Sequence, residues 1–402
     1  MLKIFLGAVF LLGASLTWML FRQKPSAPPG RKPTHFTLDK SPNHINAFDI
    51  IQLIARATLK QVLGYSPTLY ADSSTSQQFI LPAIRAEGLL HVDEHDEEMF
   101  KDALRVDFRK ELGPELNQIN PIFLVAQTVP LVILALVQRI CPIKPLGAVN
   151  TRNKIKVLNP SFCRDINAIK AAAQDGTLRY DINFGGADMP GHRRKRGVEF
   201  CITIEIIRES ELVMLQELWF LQFLPTSTQP LYEAGDDRKT ELDVPDPRRP
   251  WRTSGEVELK LNRKDPKRWA ATSKDYNPIH VSRLGAKLFG FPSVIAHGNH
   301  IAALALECLR GDWTHCSTFE TAQHICWLSQ EPFSIEMAFL RPLALPNRAI
   351  MHWESEGDET KTKTASGLIM GVKRKGSGVG LEKRIYTSIK LENLETSSTD
   401  ST

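Results

Sequence analysis

The strongest constraint on the fold is an order of elements that occurs twice along the chain. In the first half, an apolar stretch at residues 123–140 precedes a segment at 178–184 in which apolar and polar residues alternate. In the second half, an apolar stripe with helical spacing at residues 301–309 precedes alternating segments at 333–339 and 385–391. Helical spacing followed by period two predicts an α+β fold, with an antiparallel sheet wrapped around a central helix in each half.

The apolar stretch at residues 123–140 is long enough to be considered as a membrane span. Gln127, Thr128, Pro130 and Gln138 interrupt it. Because proline suits the first position of a helix, we expect the helix to begin at Pro130, which leaves about ten residues. A segment of that length predicts a buried core helix.

The N-terminus carries a different signal. Residues 4–21 contain eighteen residues without a charge, which is just long enough to cross a bilayer as a helix. A single transmembrane anchor is the interpretation we favour over a cleaved signal peptide or a buried helix. Lys3 precedes the segment, and Arg22 and Lys24 follow it, so the positive-inside rule places the body of the protein on the cytoplasmic side.

Composition divides the chain into segments. Residues 225–250 hold five prolines and many charges, which marks the clearest internal boundary. The predicted segments are a transmembrane anchor (1–22), a linker (23–44), a first folded unit (45–224), a second linker (225–252), a second folded unit (253–394) and a disordered tail (395–402).

Charge and cysteine content exclude some functional classes. The formal net charge of +5 is small for 402 residues and gives no support for a nucleic-acid partner. The six cysteines show no C-x-x-C spacing, so neither a zinc site nor a redox pair is predicted from them.

Two short motifs in the second half carry the chemistry. The first reads Asp275-Tyr276-Asn277-Pro278-Ile279-His280, and the second contains a Gly-Phe-Pro turn at 290–292 followed by Ala-His-Gly at 296–298. Over residues 269–345 the chain resembles the MaoC-like hydratase family, which includes the (R)-specific enoyl-CoA hydratase 2 group and double-hotdog acyl dehydratases.

The resemblance implies a double hotdog fold and a lyase that interconverts (3R)-hydroxyacyl and trans-2-enoyl thioesters of coenzyme A or acyl carrier protein, without a cofactor. It assigns catalytic roles to Asp275, Asn277, His280 and Gly298. His280 is suited to take a proton from water near neutral pH, and Asp275 can hold the same water and act as the acid. Asn277 can orient the reactants, and the N–H of Gly298, near a helix start, can stabilise the thioester oxygen.

Two departures from the family pattern leave other functions open. The family usually has glycine before the aspartate, whereas this chain has Lys274, which could crowd the turn or bring a cation near the carboxylate. The first half has no copy of the motif, so it is expected to be a degenerate hotdog that shapes the acyl-chain tunnel. A non-catalytic acyl-thioester-binding or scaffold protein, or a hotdog thioesterase, remains an alternative.

Several other residues were weighed for function. His297 is expected to be structural, and a metal site made by His297 and His300 is not favoured because no carboxylate or cysteine partners them at fitting spacing. The basic run Arg193, Arg194, Lys195 and Arg196 could bind the phosphates of coenzyme A or an acidic carrier protein, although a solvated hairpin loop is the simpler interpretation. The sequence leaves the oligomeric state open, a homodimer included.

Overall fold

The structure is a computed structural model of the chain. It describes residues 33–62, 70–71, 78–104, 118–224, 255–315, 331–356, 364–374 and 381–394. The predicted anchor, the linker at 225–252 and the tail at 395–402 lie outside these residues. Among the helices that are described, none combines the length and the apolar character needed to cross a bilayer.

The first half contains nine strands and five α-helices in its described part. The strands are β1 (Thr34–His35), β2 (Tyr70–Ala71), β3 (Gln78–Ile80), β4 (Ile84–Leu89), β5 (Ala148–Val157), β6 (Leu178–Phe184), β7 (Gly191–Arg194), β8 (Gly197–Arg208) and β9 (Glu211–Phe223). The helices are α1 (Ala47–Val62), α2 (Glu94–Leu104), α3 (Ile122–Leu136), α4 (Pro160–Arg164) and α5 (Ile166–Gln174).

The second half follows the same plan. Its described strands are β10 (Gly255–Leu261), β11 (Phe333–Phe339), β12 (Asn347–Glu356), β13 (Thr364–Arg374) and β14 (Leu381–Asn393). Its described helices are α6 (Asp265–Ser273), α7 (Pro278–Val281), α8 (Arg283–Leu288) and α9 (Gly298–His315).

The two halves share one strand order. The main path of the sheet runs β1-β4-β6-β8-β9-β5-β11-β14-β13-β12-β10. If β4, β5, β6, β8 and β9 are numbered 1 to 5 along the chain, their order in the sheet is 1-3-4-5-2. Strands β10 to β14, numbered in the same way, have the same order when the sheet is read from its other end. Between the first and second of these strands lie α2 and α3 in the first half and α6 to α9 in the second half. The internal repeat expected from the sequence is therefore present as a double hotdog architecture.

The two sheets expected from the sequence are joined into one. Strand β5 of the first half pairs antiparallel with β11 of the second half, from Phe333 opposite Val157 to Ala338 opposite Arg152. The second strand of each half would otherwise leave an edge of unpaired N–H and C=O groups, and this pairing satisfies both edges. The expectation of two separate sheets is thus corrected to one continuous sheet.

The alternation of apolar residues is confirmed as strand structure. Residues 178–184 form β6, in which Leu178, Tyr180, Ile182 and Phe184 are buried and their neighbours are more exposed. Residues 333–339 form β11, and 385–391 lie in β14. Because alternate side chains of a strand point to opposite faces, the buried set faces the helices of the core.

The central helix of the first half is buried, as predicted, but it begins earlier than expected. Helix α3 starts at Ile122, where Asn120 Oδ1 accepts a hydrogen bond from the Ile122 N–H, and Pro130 lies inside the helix. A proline in a helix interior costs about 3 kcal/mol. Burial of side chains such as Leu124 and Leu131 offsets that cost, which a local rule about proline could not reveal.

Helices of the two halves pack directly on one another. The Trp269 ring of α6 is buried between Phe100 of α2, at a centroid distance of 5.9 Å, and His300 of α9, at 5.0 Å. Nε2 of His300 hydrogen-bonds the carbonyl oxygen of Ala103 at 3.0 Å, and Asn120 Nδ2 donates to the carbonyl of Ala303 at 3.0 Å. The first half therefore fixes the position of α9.

A buried lysine closes the C-terminal end of α3. Lys60 of α1 is 2 % exposed, and its ammonium group donates hydrogen bonds to the carbonyls of Leu136, Gln138 and Cys141 at 2.6, 3.1 and 2.7 Å. Burial lowers the pKa of Lys60. A cation at this end of a helix satisfies carbonyls that have no partner within the helix and complements the helix dipole.

We expect Lys60→Met to lower the free energy of unfolding by about 2 kcal/mol, because three buried carbonyls lose their donor. Lys40→Met is the matched control, since Lys40 forms an exposed ion pair with Asp49 at 3.2 Å and such pairs contribute about 0–1 kcal/mol. Urea denaturation of the full chain measures both variants. Equal losses in the two would contradict the proposed role of Lys60.

Candidate active site

The loop that carries the first motif leaves α6 through a left-handed residue. Lys274 has φ 54° and ψ 14°, the conformation that normally favours glycine at the end of a helix. Its Nζ turns back and donates to the carbonyl of Ala271 at 2.7 Å. The left-handed backbone conformation explains why glycine suits this position. Within the described residues, no ion pair joins Lys274 to Asp275.

The acidic neighbours of Lys274 belong to the first half. Burial lowers the pKa of Lys274, and the carboxylates of Asp96 and Asp93 act in the opposite direction. Asp96 is itself buried and accepts hydrogen bonds from Asn43 Nδ2 and from His44 Nε2, both at 3.0 Å. The carboxylates that act on the Lys274 ammonium group are therefore those of Asp96 and Asp93 in the first half, and an effect of Lys274 on Asp275 stays a prediction.

Asn277 is used as a helix cap. Its Oδ1 accepts a hydrogen bond from the Ile279 N–H at 3.3 Å at the start of α7, and Pro278 occupies the first turn. Its own backbone N–H donates to Asp275 Oδ1 at 3.2 Å. Asn277 therefore fixes the loop between Asp275 and His280, and a direct contact of its side chain with substrate stays a prediction.

One ring nitrogen of His280 forms a hydrogen bond with the backbone, and the other can accept a proton. Its Nδ1 lies 2.9 Å from the carbonyl oxygen of Ile295. A carbonyl can only accept, so Nδ1 carries the proton and Nε2 of the neutral ring has a free lone pair. His280 is half-buried, and desolvation of its ring lowers its pKa below the usual 6.5, although the charge of Asp275 and the bond to Ile295 act in the opposite direction. The ring is therefore neutral at pH 7.

His297, which we expected to be structural, lies within the site. Its ring stacks on His280 with 3.8 Å between centroids and 24° between planes. Its Nε2 donates to the carbonyl oxygen of Asp275 at 3.1 Å and lies 3.6 Å from Asp275 Oδ2. Burial holds the pKa of His297 well below 6.5, and repulsion between two protonated rings would lower it further if His280 were also charged. Its place in the Ala-His-Gly motif was the only sequence signal for this role.

The same three residues could be considered as metal ligands. Asp275, His280 and His297 each offer one ligand atom, and these atoms lie within 4.8 Å of one another. The two rings are nearly parallel, so their lone pairs point along neighbouring planes and do not converge on one ion. The geometry therefore suits acid-base chemistry better than metal binding.

Gly298 is the first residue of α9 and packs against β11. A Cβ atom at this position would lie 2.4 Å from the Phe339 ring, so only glycine fits. The first N–H groups of a helix have no partner within the helix. Because His297 immediately precedes Gly298 and stacks on His280, the start of α9 lies beside His280.

The basic run of the first half lies in a hairpin between β7 and β8. Arg194 pairs with Glu199, with Nε–Oε2 and Nη2–Oε2 distances of 2.9 and 2.5 Å, and Arg193 lies over the Phe79 ring. Lys195 and Arg196 are exposed in the turn. Phosphate binding by these four residues stays a prediction.

Part of the second half is similar to a known protein family. Residues 246–323 match the family model described as MaoC like domain. The chain is 27% identical over 190 residues to 3-hydroxyacyl-thioester dehydratase X of Mycobacterium tuberculosis, and the match covers 47% of this chain and 59% of that protein's length.

Two solved structures are similar over most of this chain. A MaoC-like dehydratase from Phytophthora capsici matches with a TM-score of 0.53 and 14% identity, covering 80% of this chain and 97% of its own; at this identity the likeness shows the fold alone. The crystal structure of HtdX from Mycobacterium tuberculosis matches with a TM-score of 0.49 and 19% identity, covering 78% of this chain and 100% of its own.

We expect Lys274→Gly to be more stable than Lys274→Ala by about 1 kcal/mol. Both substitutions remove the ammonium group, but only glycine adopts the left-handed conformation without strain. Chemical denaturation of the two variants measures the difference. A Lys274→Ala variant as stable as Lys274→Gly would show that this backbone conformation is not adopted in solution.

The family match and the site geometry fall on the same residues. Asp275, His280, His297 and Gly298 all lie within the matched region. Hydrogen bonds from His297 to the Asp275 carbonyl and from His280 to the Ile295 carbonyl, together with the His280–His297 stack, join the two segments that carry them. The segment that resembles the MaoC like domain therefore carries the candidate active site.

Proposed function

We propose that the chain is a hydratase/dehydratase that interconverts trans-2-enoyl and (3R)-hydroxyacyl thioesters without a cofactor. One observation carries the proposal. His280 donates its Nδ1 proton to the Ile295 carbonyl, so its Nε2 is free to accept a proton, and the Asp275 carboxylate lies beside it. The printed name of the Mycobacterium tuberculosis relative, a 3-hydroxyacyl-thioester dehydratase, supports the same substrate class.

The reaction divides between these groups. In hydration, His280 Nε2 takes one proton from a water while the oxygen of that water forms a bond to C3 of the enoyl group. The carbon–carbon double bond becomes an enolate, whose negative oxygen is stabilised by the Gly298 N–H at the start of α9. The proton then passes from His280 to the Asp275 carboxylate, and Asp275, now acting as the acid, delivers it to C2, which restores both groups. Dehydration is the same sequence reversed.

The environment of His280 matches this role. A general base works best when it is unprotonated and its pKa lies near the working pH. Burial lowers the pKa of His280, and the Asp275 charge limits that effect, so the ring is neutral at pH 7 and still basic. The stacked His297 contributes no positive charge, because its own pKa is lowered further.

We expect Asp275→Asn and His280→Ala each to lower kcat/KM for hydration of crotonyl-CoA by about 10²–10⁴-fold, since each removes one proton-transfer group. The assay follows loss of the enoyl absorbance with the full chain. Asp188→Asn and His35→Ala make the same chemical changes at exposed positions outside the site and should retain full activity.

The assay also separates the alternatives. Binding of the enoyl thioester without turnover in the wild-type chain would favour an acyl-binding or scaffold protein. Release of free coenzyme A thiol would favour a thioesterase. Hydration that survives in both site variants would show that Asp275 and His280 are not the catalytic pair.

A further inference from the structure

A row of three asparagine side chains connects the first half to the start of α9. Asn150 Nδ2 donates to Asn153 Oδ1 at 2.8 Å, and Asn153 Nδ2 donates to Asn299 Oδ1 at 2.7 Å. Asn150 and Asn153 belong to β5, and Asn299 is the second residue of α9, directly after Gly298. Asn153 is 2 % exposed, so the row is a buried polar link between the halves.

An irregularity in β5 makes this row possible. Side chains three positions apart on a regular strand point to opposite faces of the sheet. The pairing of β5 with β9 shifts between Asn150 and Arg152, so that one extra residue is inserted opposite Trp219. Such a bulge changes the phase of the strand by one residue, which brings the Asn150 and Asn153 side chains to the same side.

A backbone carbonyl fixes the direction of every amide in the row. Asn150 Nδ2 also donates to the carbonyl oxygen of Trp219 at 3.2 Å, and a carbonyl can only accept. The Asn150 atom between Trp219 and Asn153 is therefore its NH₂ group, so the Asn153 atom that faces it is oxygen. Asn153 then presents its own NH₂ to Asn299, and the Asn299 atom that receives it is oxygen.

The Asn299 NH₂ group is consequently left pointing away from the row. Asn299 is only half-buried, and no hydrogen bond joins this NH₂ group to another described residue. Its neighbour Gly298 is the first residue of α9, where backbone N–H groups have no partner within the helix. Two donors, the Gly298 N–H and the Asn299 NH₂, therefore lie on consecutive residues next to His297, whose ring stacks on His280.

We propose that Asn299 Nδ2 donates a hydrogen bond to the thioester carbonyl oxygen, beside the Gly298 N–H, and that Asn153 of the first half is the positioning residue that orients it. This inference rests on the proposed function. In this inference both halves contribute to the active site. The half without the Asp-x-Asn-Pro-x-His motif supplies Asn153, which orients the Asn299 donor toward the reacting carbonyl.

The test uses two ligands that differ only in the carbonyl oxygen. Butanoyl-CoA is a saturated thioester that cannot be hydrated, and S-butyl-CoA is the thioether without that oxygen. Calorimetry on the full chain gives the ratio of their dissociation constants. Asn299→Asp keeps the shape and the acceptor for Asn153 but removes the donor, and Asn299→Ala removes both.

We expect the wild-type chain to prefer the thioester, and both Asn299 variants to lose about tenfold of that preference. For crotonyl-CoA, kcat/KM should fall by about 10²–10³-fold, as for other oxyanion donors. Asn153→Ala should act in the same direction with a smaller effect, and the Asn153→Ala/Asn299→Ala double variant should be no worse than Asn299→Ala, because the two residues act as one unit.

Asn120→Ala is the matched control. It removes another buried asparagine of the first half that donates to α9, at the Ala303 carbonyl, further along the helix. It can lower the melting temperature, but the thioester preference should not change.

Each other outcome has a defined meaning. If both Asn299 variants keep the preference and kcat/KM within twofold, the row is only structural and the inference is overturned. If the wild-type chain prefers the thioester but does not hydrate crotonyl-CoA, the proposed function fails, and the Asn299 variants still decide the inference by binding. If the wild-type chain binds both ligands equally, the carbonyl donor is overturned whatever the turnover.

Discussion

The antiparallel pairing of β5 with β11 is the constraint on which the site depends. Six residues of β11 pair with β5 and join the strands of the two halves into one continuous sheet. The start of α9 lies on this joint, with Gly298 against Phe339 of β11 and Asn299 bonded to Asn153 of β5. Without the joint, neither half alone would hold the N-terminus of that helix in place.

Beside the start of α9, hydrogen bonds to two backbone carbonyls determine which nitrogen of each histidine carries the proton. The Ile295 carbonyl sets the tautomer of His280, and the Asp275 carbonyl sets that of His297. Two stacked imidazoles could not both be charged at 3.8 Å, and burial keeps the pKa of each below 6.5. The arrangement therefore leaves Nε2 of a neutral His280 available as an acceptor beside Asp275, which is the feature on which the proposed acid-base function rests.

Sequence periodicity predicted the parts of this structure that local burial determines. The alternation at residues 178–184 and 333–339 reports one buried face of a strand, and the Asp275–His280 motif lies within a single short loop. Contacts between distant residues could not be read in the same way. His297 reaches His280 because the segment before α9 runs beside that motif, where the Ile295 N–H donates to the Ile279 carbonyl at 3.1 Å. Asn153 meets Asn299 across 146 residues through a strand bulge.

The most direct test of the central claim is the protonation state of His280. Long-range ¹H–¹⁵N NMR of the full chain labelled at histidine, with His280→Ala to assign the signal, reports both the tautomer and the pKa. The account predicts a neutral ring at pH 7 that carries its proton on Nδ1 and titrates below 6.5. A ring protonated on Nε2, or an imidazolium at pH 7, would contradict it.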